Sequence, residues 1–211
     1  MSFASEDLKM GQLNALVKKI GGAEAARKIL RGDVATLRLK PRVKKLATLS
    51  EIRHDQNRPY VLLQAIKEAD VLVTPAAEDL FQHFDAGDVF YADLGSEMRL
   101  GVVTVEQLTG DIYASRPVFF GMLRYHDLMP CPFSVGPRLC LQLKDSPPNR
   151  YVDAMLAMVP VYYNGNRGYP KVFHIQANPD GDVRLGTYHC APEQAFNDAP
   201  NWIVWPHESR R

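Results

Sequence analysis

The most reactive side chains of this chain lie close together: Arg124-Tyr125-His126-Asp127 is followed four residues on by Cys131. A thiol attacks only as the thiolate, so it needs a base within reach, and His126 could serve as one from a loop, with the Asp127 carboxylate beside it. His126, Asp127 and Cys131 are therefore the candidate catalytic residues. Two features weigh against them. Adjacent positions of an extended chain point to opposite sides, and Pro130 and Pro132 brace Cys131 for reasons of structure alone. His174, His189 and Cys190 form a second group with the imidazole and thiolate types that zinc prefers. Asp180 and Asp182 lack the spacing of a calcium loop and read as turn residues. The third candidate is a strip of five cations in residues 38–45, namely Arg38, Lys40, Arg42, Lys44 and Lys45. Such a strip can neutralise phosphates and release their counterions, which binds nucleic acid with little sequence preference.

The elements that would position these groups follow from hydrophobic period and from turn residues. Leu13, Leu16, Val17 and Ile20 make one helical stripe, closed by Gly21-Gly22, and Ala26, Ile29 and Leu30 make a second, closed by Gly32. Residues 5–31 are thus expected to form a helical hairpin. Residues 34–40 alternate apolar and polar as a half-buried strand does, so the cations of 38–45 run from a strand into a polar connector at 41–58 with a short apolar turn at 46–52. The stretch from Ala25 to Arg38 resembles a helix-turn-helix, but its spacing is one residue too long and Pro41 would cut the second helix short.

Beyond the connector, Pro59 opens a helix with Leu62, Ala65, Ile66 and Ala69 on its buried face. A short strand is expected at 71–73, then a helix started by Thr74-Pro75 and buried through Ala77, Leu80, Phe81 and Phe84. Strands are expected at 89–92, 99–104, 118–123 and 139–143, loops at 127–138 and 144–150, and a helix from 151 as far as Val159. Near the C-terminus, Asn178-Pro179-Asp180-Gly181 suits a three-residue hairpin loop that pairs Asn178 with Asp182. Phe173, Ile175 and Ala177 then oppose Thr187, Leu185 and Val183 on one face, while His174 and Gln176 oppose Gly186 and Arg184 on the other. That register separates His174 from His189, which sits on the apolar face, and argues against a shared metal ion.

Apolar residues make up 46% and charged residues 23% of the 211, which suits a globular domain and excludes a disordered or coiled-coil chain. The charge is segregated. Residues 1–58 carry 13 Lys and Arg against 6 Asp and Glu, and the remainder carry 12 against 18. Within the remainder, residues 68–97 hold acids and no cation, and so offer the basic strip a partner inside the same chain. Three cysteines without a CxxC spacing fit reduced thiols, with Cys140 in the core. The longest apolar run, 154–163, is well short of the ~20 residues of a membrane span and contains Pro160. Residues 1–8 lack the apolar core of a secretory signal, so a cytoplasmic protein is expected. Phosphate-loop, nucleophile-elbow, zincin and dinucleotide-binding motifs are absent.

Two stretches carry a resemblance. Leu13-Asn14-Ala15-Leu16-Val17-Lys18-Lys19-Ile20-Gly21-Gly22 with Leu30-Arg31-Gly32-Asp33, and the region 139–206 from Leu139-Cys140-Leu141 to Trp202-Ile203-Val204-Trp205-Pro206, are similar to the two ends of a group of small bacterial proteins without an established activity. The resemblance implies a bacterial origin and a strand after Gly32, and it transfers no catalytic residue. Taken together, the expectation is an α+β protein with an N-terminal helical hairpin followed by a mainly antiparallel β body with a few helices. Its parts would be a basic segment 1–58 and a body 59–211 that contains the hairpin 171–189. The expected function is that of a non-enzymatic binding or interaction protein of the bacterial cytosol, contacting nucleic acid or an acidic protein surface through 38–45, with self-association open and no cofactor or metal. The alternative is an enzyme using the 124–131 loop.

Overall fold

Proline or threonine starts the first three helices of the described chain. The computed structural model describes residues 41–49, 58–83, 98–161, 170–191, 193–197 and 201–206. The chain divides into two compact units, Met1–Pro41 and Arg42–Arg211, and every element below belongs to the second. Strand β1 (Lys44–Leu49) is followed by helix α1 (Pro59–Glu68), which has proline in its first turn, Leu62 and Ile66 buried, and Lys67 in its last turn to meet the negative end of the dipole. Strand β2 (Leu72–Val73) leads to α2 (Pro75–His83), where the Thr74 hydroxyl accepts from the Ala77 amide at 3.3 Å. Then come β3 (Met98–Val103) and α3 (Val105–Thr109), the latter entered through a capping box in which Thr104 and Gln107 each bond the other's amide. Strand β4 (Tyr113–Ser115), helix α4 (Arg116–Tyr125), strand β5 (Leu128–Met129) and helix α5 (Val135–Asp145) follow. The chain closes with β6 (Val152–Leu156), β7 (Lys171–Ala177), β8 (Val183–His189), β9 (Ala195–Asn197) and β10 (Asn201–Pro206).

Seven strands lie side by side in the order β1-β3-β10-β6-β7-β8-β2, with β5 pairing β10 as the eighth, and β4-β9 form a separate small sheet. This corrects the expected body of mainly antiparallel strands. The sheet is mixed, because β6 runs parallel to β10 and β2 parallel to β8. The expected helical hairpin at 5–31, the strand at 34–40 and the strand at 89–92 lie outside the described residues.

Both faces of the sheet are covered, each by its own aromatic cluster. Ile203, Ala154 and Ile175 share one face by register, and Trp202, Met155 and His174 share the other. On the first face Phe173 meets Phe81 of α2 at 5.5 Å and Phe133, just before α5, at 4.5 Å. On the second, Trp202 meets Phe119 of α4 at 4.4 Å and Phe196 of β9 at 4.7 Å. Offset and edge-on geometry of this kind adds to the burial of large rings.

Five local expectations are corrected by the structure. Residues 118–123 and 139–143, expected as strands, are helical, with Phe119 and Leu123 in α4, and Leu139 and Leu143 in α5, buried four residues apart. Pro117 and Pro137 sit in the first turns, where no amide is needed. The loop expected at 127–138 likewise contains β5 and the start of α5. Residues 151–159, expected as a helix, form β6, whose Ala154, Met155 and Leu156 are all buried because the strand is covered on both faces. A strand buried on both sides reads as a continuous apolar run and cannot be told from a helix by period. Residues 44–49, expected in a polar connector, form β1.

Candidate functional site

The cationic strip reaches the described structure at its second half. Arg42 precedes β1, Lys44 and Lys45 open it, and all three side chains are exposed. Arg38 and Lys40 lie outside the described residues. Among the described residues, strand β1 pairs on one side alone, with β3. Its register slips by one residue between Lys45 and Ala47, opposite Gly101 and Leu100 of β3. The bulge follows the two lysines, which keep the regular register opposite Val102 and Gly101, and leaves Leu46 as the extra residue of the strand. Val43 anchors the strip, packing where Gly101 has no side chain, and a β-carbon at 101 would overlap it. Lysines and a bulge on an edge also deter pairing with other strands.

The 124–131 stretch is drawn apart. His126 caps the end of α4 and donates from Nε2 to the Leu108 carbonyl at 3.1 Å, which ties α4 to α3. Asp127 is exposed, with a left-handed backbone at φ 57. Cys131 is buried and its thiol donates to the Ile203 carbonyl at 3.6 Å, while its amide is bonded to Ala157. Burial pushes the Cys131 thiol well above the ordinary range. An activated nucleophile needs the opposite shift and a base at hydrogen-bond distance. Cys140 is raised in the same way. The Cys190 thiol is pushed up to about 12 by burial, against the opposing pull of Arg116, whose guanidinium donates to the Cys190 carbonyl at 2.9 Å.

The hairpin forms in the register its turn residues suggest. Gly181 takes φ 86, and Asn178 and Asp182 bond each other through side chain and backbone. His174 and His189 accordingly leave opposite faces of the sheet. Among the described residues no three His, Cys, Asp or Glu side chains gather where they could hold a metal ion. Sequence reasoning missed one pair: Nε2 of His174 lies 2.5 Å from Oδ1 of Asp153 on the neighbouring strand β6. The carboxylate orients the ring, and no described Ser, Thr or Cys side chain is bonded to Nδ1. Its only possible sequence signal was the pairing of 153 with 176, which needs β6 to be recognised as a strand.

The acidic stretch meets cations of its own unit. Glu78 pairs with Lys67 at 2.8 Å, and Lys144 donates to the Asp70 carbonyl at 3.2 Å with the Asp70 carboxylate at 3.9 Å. Residues 84–97 lie outside the described residues. These pairs line a groove of about 680 Å³ over β2, between the C-terminal turns of α1 and α5 and the β7–β8 turn. The groove is large enough for a small molecule. Of its charges, Lys67 and Glu78 join α1 to α2, and Lys144 reaches from α5 to Asp70 just past the end of α1. Burial also lowers the pKa of Arg138 in α5. Among the described residues no helix is long and apolar enough to cross a membrane.

Comparison with protein-family models, with curated proteins and with solved structures found no match.

Proposed function

We propose that the protein is a non-enzymatic binding protein of the bacterial cytosol, the source implied by the two motif resemblances, and that it holds the phosphate backbone of a nucleic acid against the strip 38–45. The observation that carries this reading is the common exposure of Arg42, Lys44 and Lys45 at a strand that pairs on one side alone among the described residues, continuous in sequence with Arg38 and Lys40. Two further findings support it. The nucleophile of the enzymatic alternative, Cys131, is a buried thiol with a raised pKa. Of the acids that could compete for the strip, Glu78 and Asp70 already face Lys67 and Lys144.

The test is duplex DNA binding by fluorescence anisotropy across salt, from roughly 50 to 200 mM, where electrostatic binding is steepest. The wild type is compared with a variant carrying Arg38→Ser, Lys40→Ser, Arg42→Ser, Lys44→Ser and Lys45→Ser. Each lost phosphate contact lowers the slope of log K against log salt by about 0.9, so removal of all five lowers it by up to about 4.5. Absence of wild-type binding at the lowest salt, or an unchanged slope in the variant, refutes the proposal.

A further inference from the structure

The groove over β2 lies at the far end of the strand order from β1 and its lysines, and it holds hydrogen-bond donors in excess of acceptors. By register Leu72 of β2, Arg184 of β8 and Gln176 of β7 stand abreast on three neighbouring strands. Tyr151, two residues before Asp153 of β6, lies diagonal to Gln176 across the next strand pair. All four side chains line the groove of about 680 Å³. Strands lie about 4.8 Å apart, so the row from Leu72 to Gln176 spans about 10 Å, the length of a small organic molecule.

The acids of the groove have partners. Glu78 pairs with Lys67 at 2.8 Å, the Asp182 carboxylate accepts from the Asn178 amide at 2.9 Å, and Asp70 faces Lys144 at 3.9 Å. Among the described residues the Arg184 guanidinium, the Gln176 amide and the Tyr151 hydroxyl have none. Three neighbouring donors, one of them charged, select a ligand group that is anionic and accepts several hydrogen bonds. The planar guanidinium fork fits both oxygens of a carboxylate. Beside Arg184 the groove turns apolar. Leu72 is 63% exposed, on a strand where its neighbours Val71 and Val73 also line the groove. Acetate or inorganic phosphate would use the donors and leave Leu72 in water, whereas a carboxylate with an apolar body would cover it.

We propose that this groove binds a small organic monocarboxylate. Arg184, Gln176 and Tyr151 hold the carboxylate, and an apolar body lies along Leu72 and Val73. The site is separate from the basic strip and does not rest on nucleic-acid binding.

The test is a titration of the full, isotope-labelled chain with phenylacetate to about 20 mM at constant ionic strength, read from amide chemical shifts, because a ligand of this size on an open groove binds in the millimolar range. Saturable shifts should concentrate at Leu72, Val73, Gln176 and Arg184. Acetate and phenylethanol, which carry the carboxylate or the ring alone, should bind at least about tenfold more weakly. Arg184→Gln, at an exposed position, should leave the rest of the spectrum unchanged and weaken phenylacetate about tenfold. Arg184→Lys keeps the charge without the fork and should fall between the two. A wild type with no shift at these amides across the titration overturns the proposal. Equal shifts with phenylethanol, or undiminished binding by Arg184→Gln, overturn it as well, since the contact would then be apolar and not made through the anion.

Discussion

Three buried thiols give this protein an alkaline limit that its exposed groups do not. Cys131, Cys140 and Cys190 are all closed to solvent, and burial holds the Cys190 thiol at about 12 against an ordinary 9.0. A raised pKa makes the folded state the better proton holder. The stabilisation is therefore complete below the unfolded value near 9 and is lost as pH climbs toward the folded value, a window from about pH 9 to about pH 12 for Cys190. Beyond 9 each such thiol removes about 1.4 kcal/mol per pH unit, so by pH 10 one thiol costs about 1.4 kcal/mol and three cost about 4 kcal/mol. Cys131 and Cys140, held higher still, contribute the same amount at pH 10, because there the loss depends only on the unfolded value. Against a total stability of about 5–15 kcal/mol this is a large fraction. The assay is urea unfolding at pH 8 and pH 10 for the wild type and for single Cys140→Ala and Cys190→Ala variants. Tyrosines and lysines ionise alike in all three proteins, so the difference in pH dependence isolates the thiol. Each substitution should flatten the fall by about 1.4 kcal/mol. If the variants lose as much stability as the wild type between pH 8 and pH 10, the Cys140 and Cys190 thiols are not held neutral in the core and the reasoning from burial is refuted.

Two further outcomes follow from the packing. Trp202→Ala empties the centre of the cluster with Phe119 and Phe196, where the indole is fully buried, and should cost about 3–5 kcal/mol in denaturant unfolding; a cost under about 1 kcal/mol would mean the second layer is not packed on the sheet. Thr104→Ala removes half of the capping box that starts α3 and should cost about 1 kcal/mol, with most of it restored by Asp or Ser at that position.

Local chemistry was legible wherever one or two residues decide a conformation. Pro59 and Thr74 start α1 and α2 at the expected places, and the Asn178–Gly181 turn sets the β7–β8 register that sends His174 and His189 to opposite faces. Legibility failed where a segment is buried on both sides. Leu139 to Leu143 and the 152–156 run carry apolar side chains whose period is blurred when every direction is core, so a helix read as a strand and a strand as a helix. Exchanging those two hid the Asp153–His174 pair as well, because its partners meet only across paired strands.

The candidate site divides along the same line. By itself the sequence determined which groups exist and how charge is distributed: five cations in 38–45, an acid-only stretch at 68–97, and no motif of known chemistry. It could not determine which of those groups meet, since the energy of a charge or a thiol depends on distance and on the solvent around it. Tertiary structure decided that Cys131 is buried with its thiol pKa raised, and that Lys67 and Lys144 take up two of the acids. It also decided that Arg42, Lys44 and Lys45 are exposed beside a strand that pairs on one side alone among the described residues, and that Val118 and Tyr125 of α4 stand exposed.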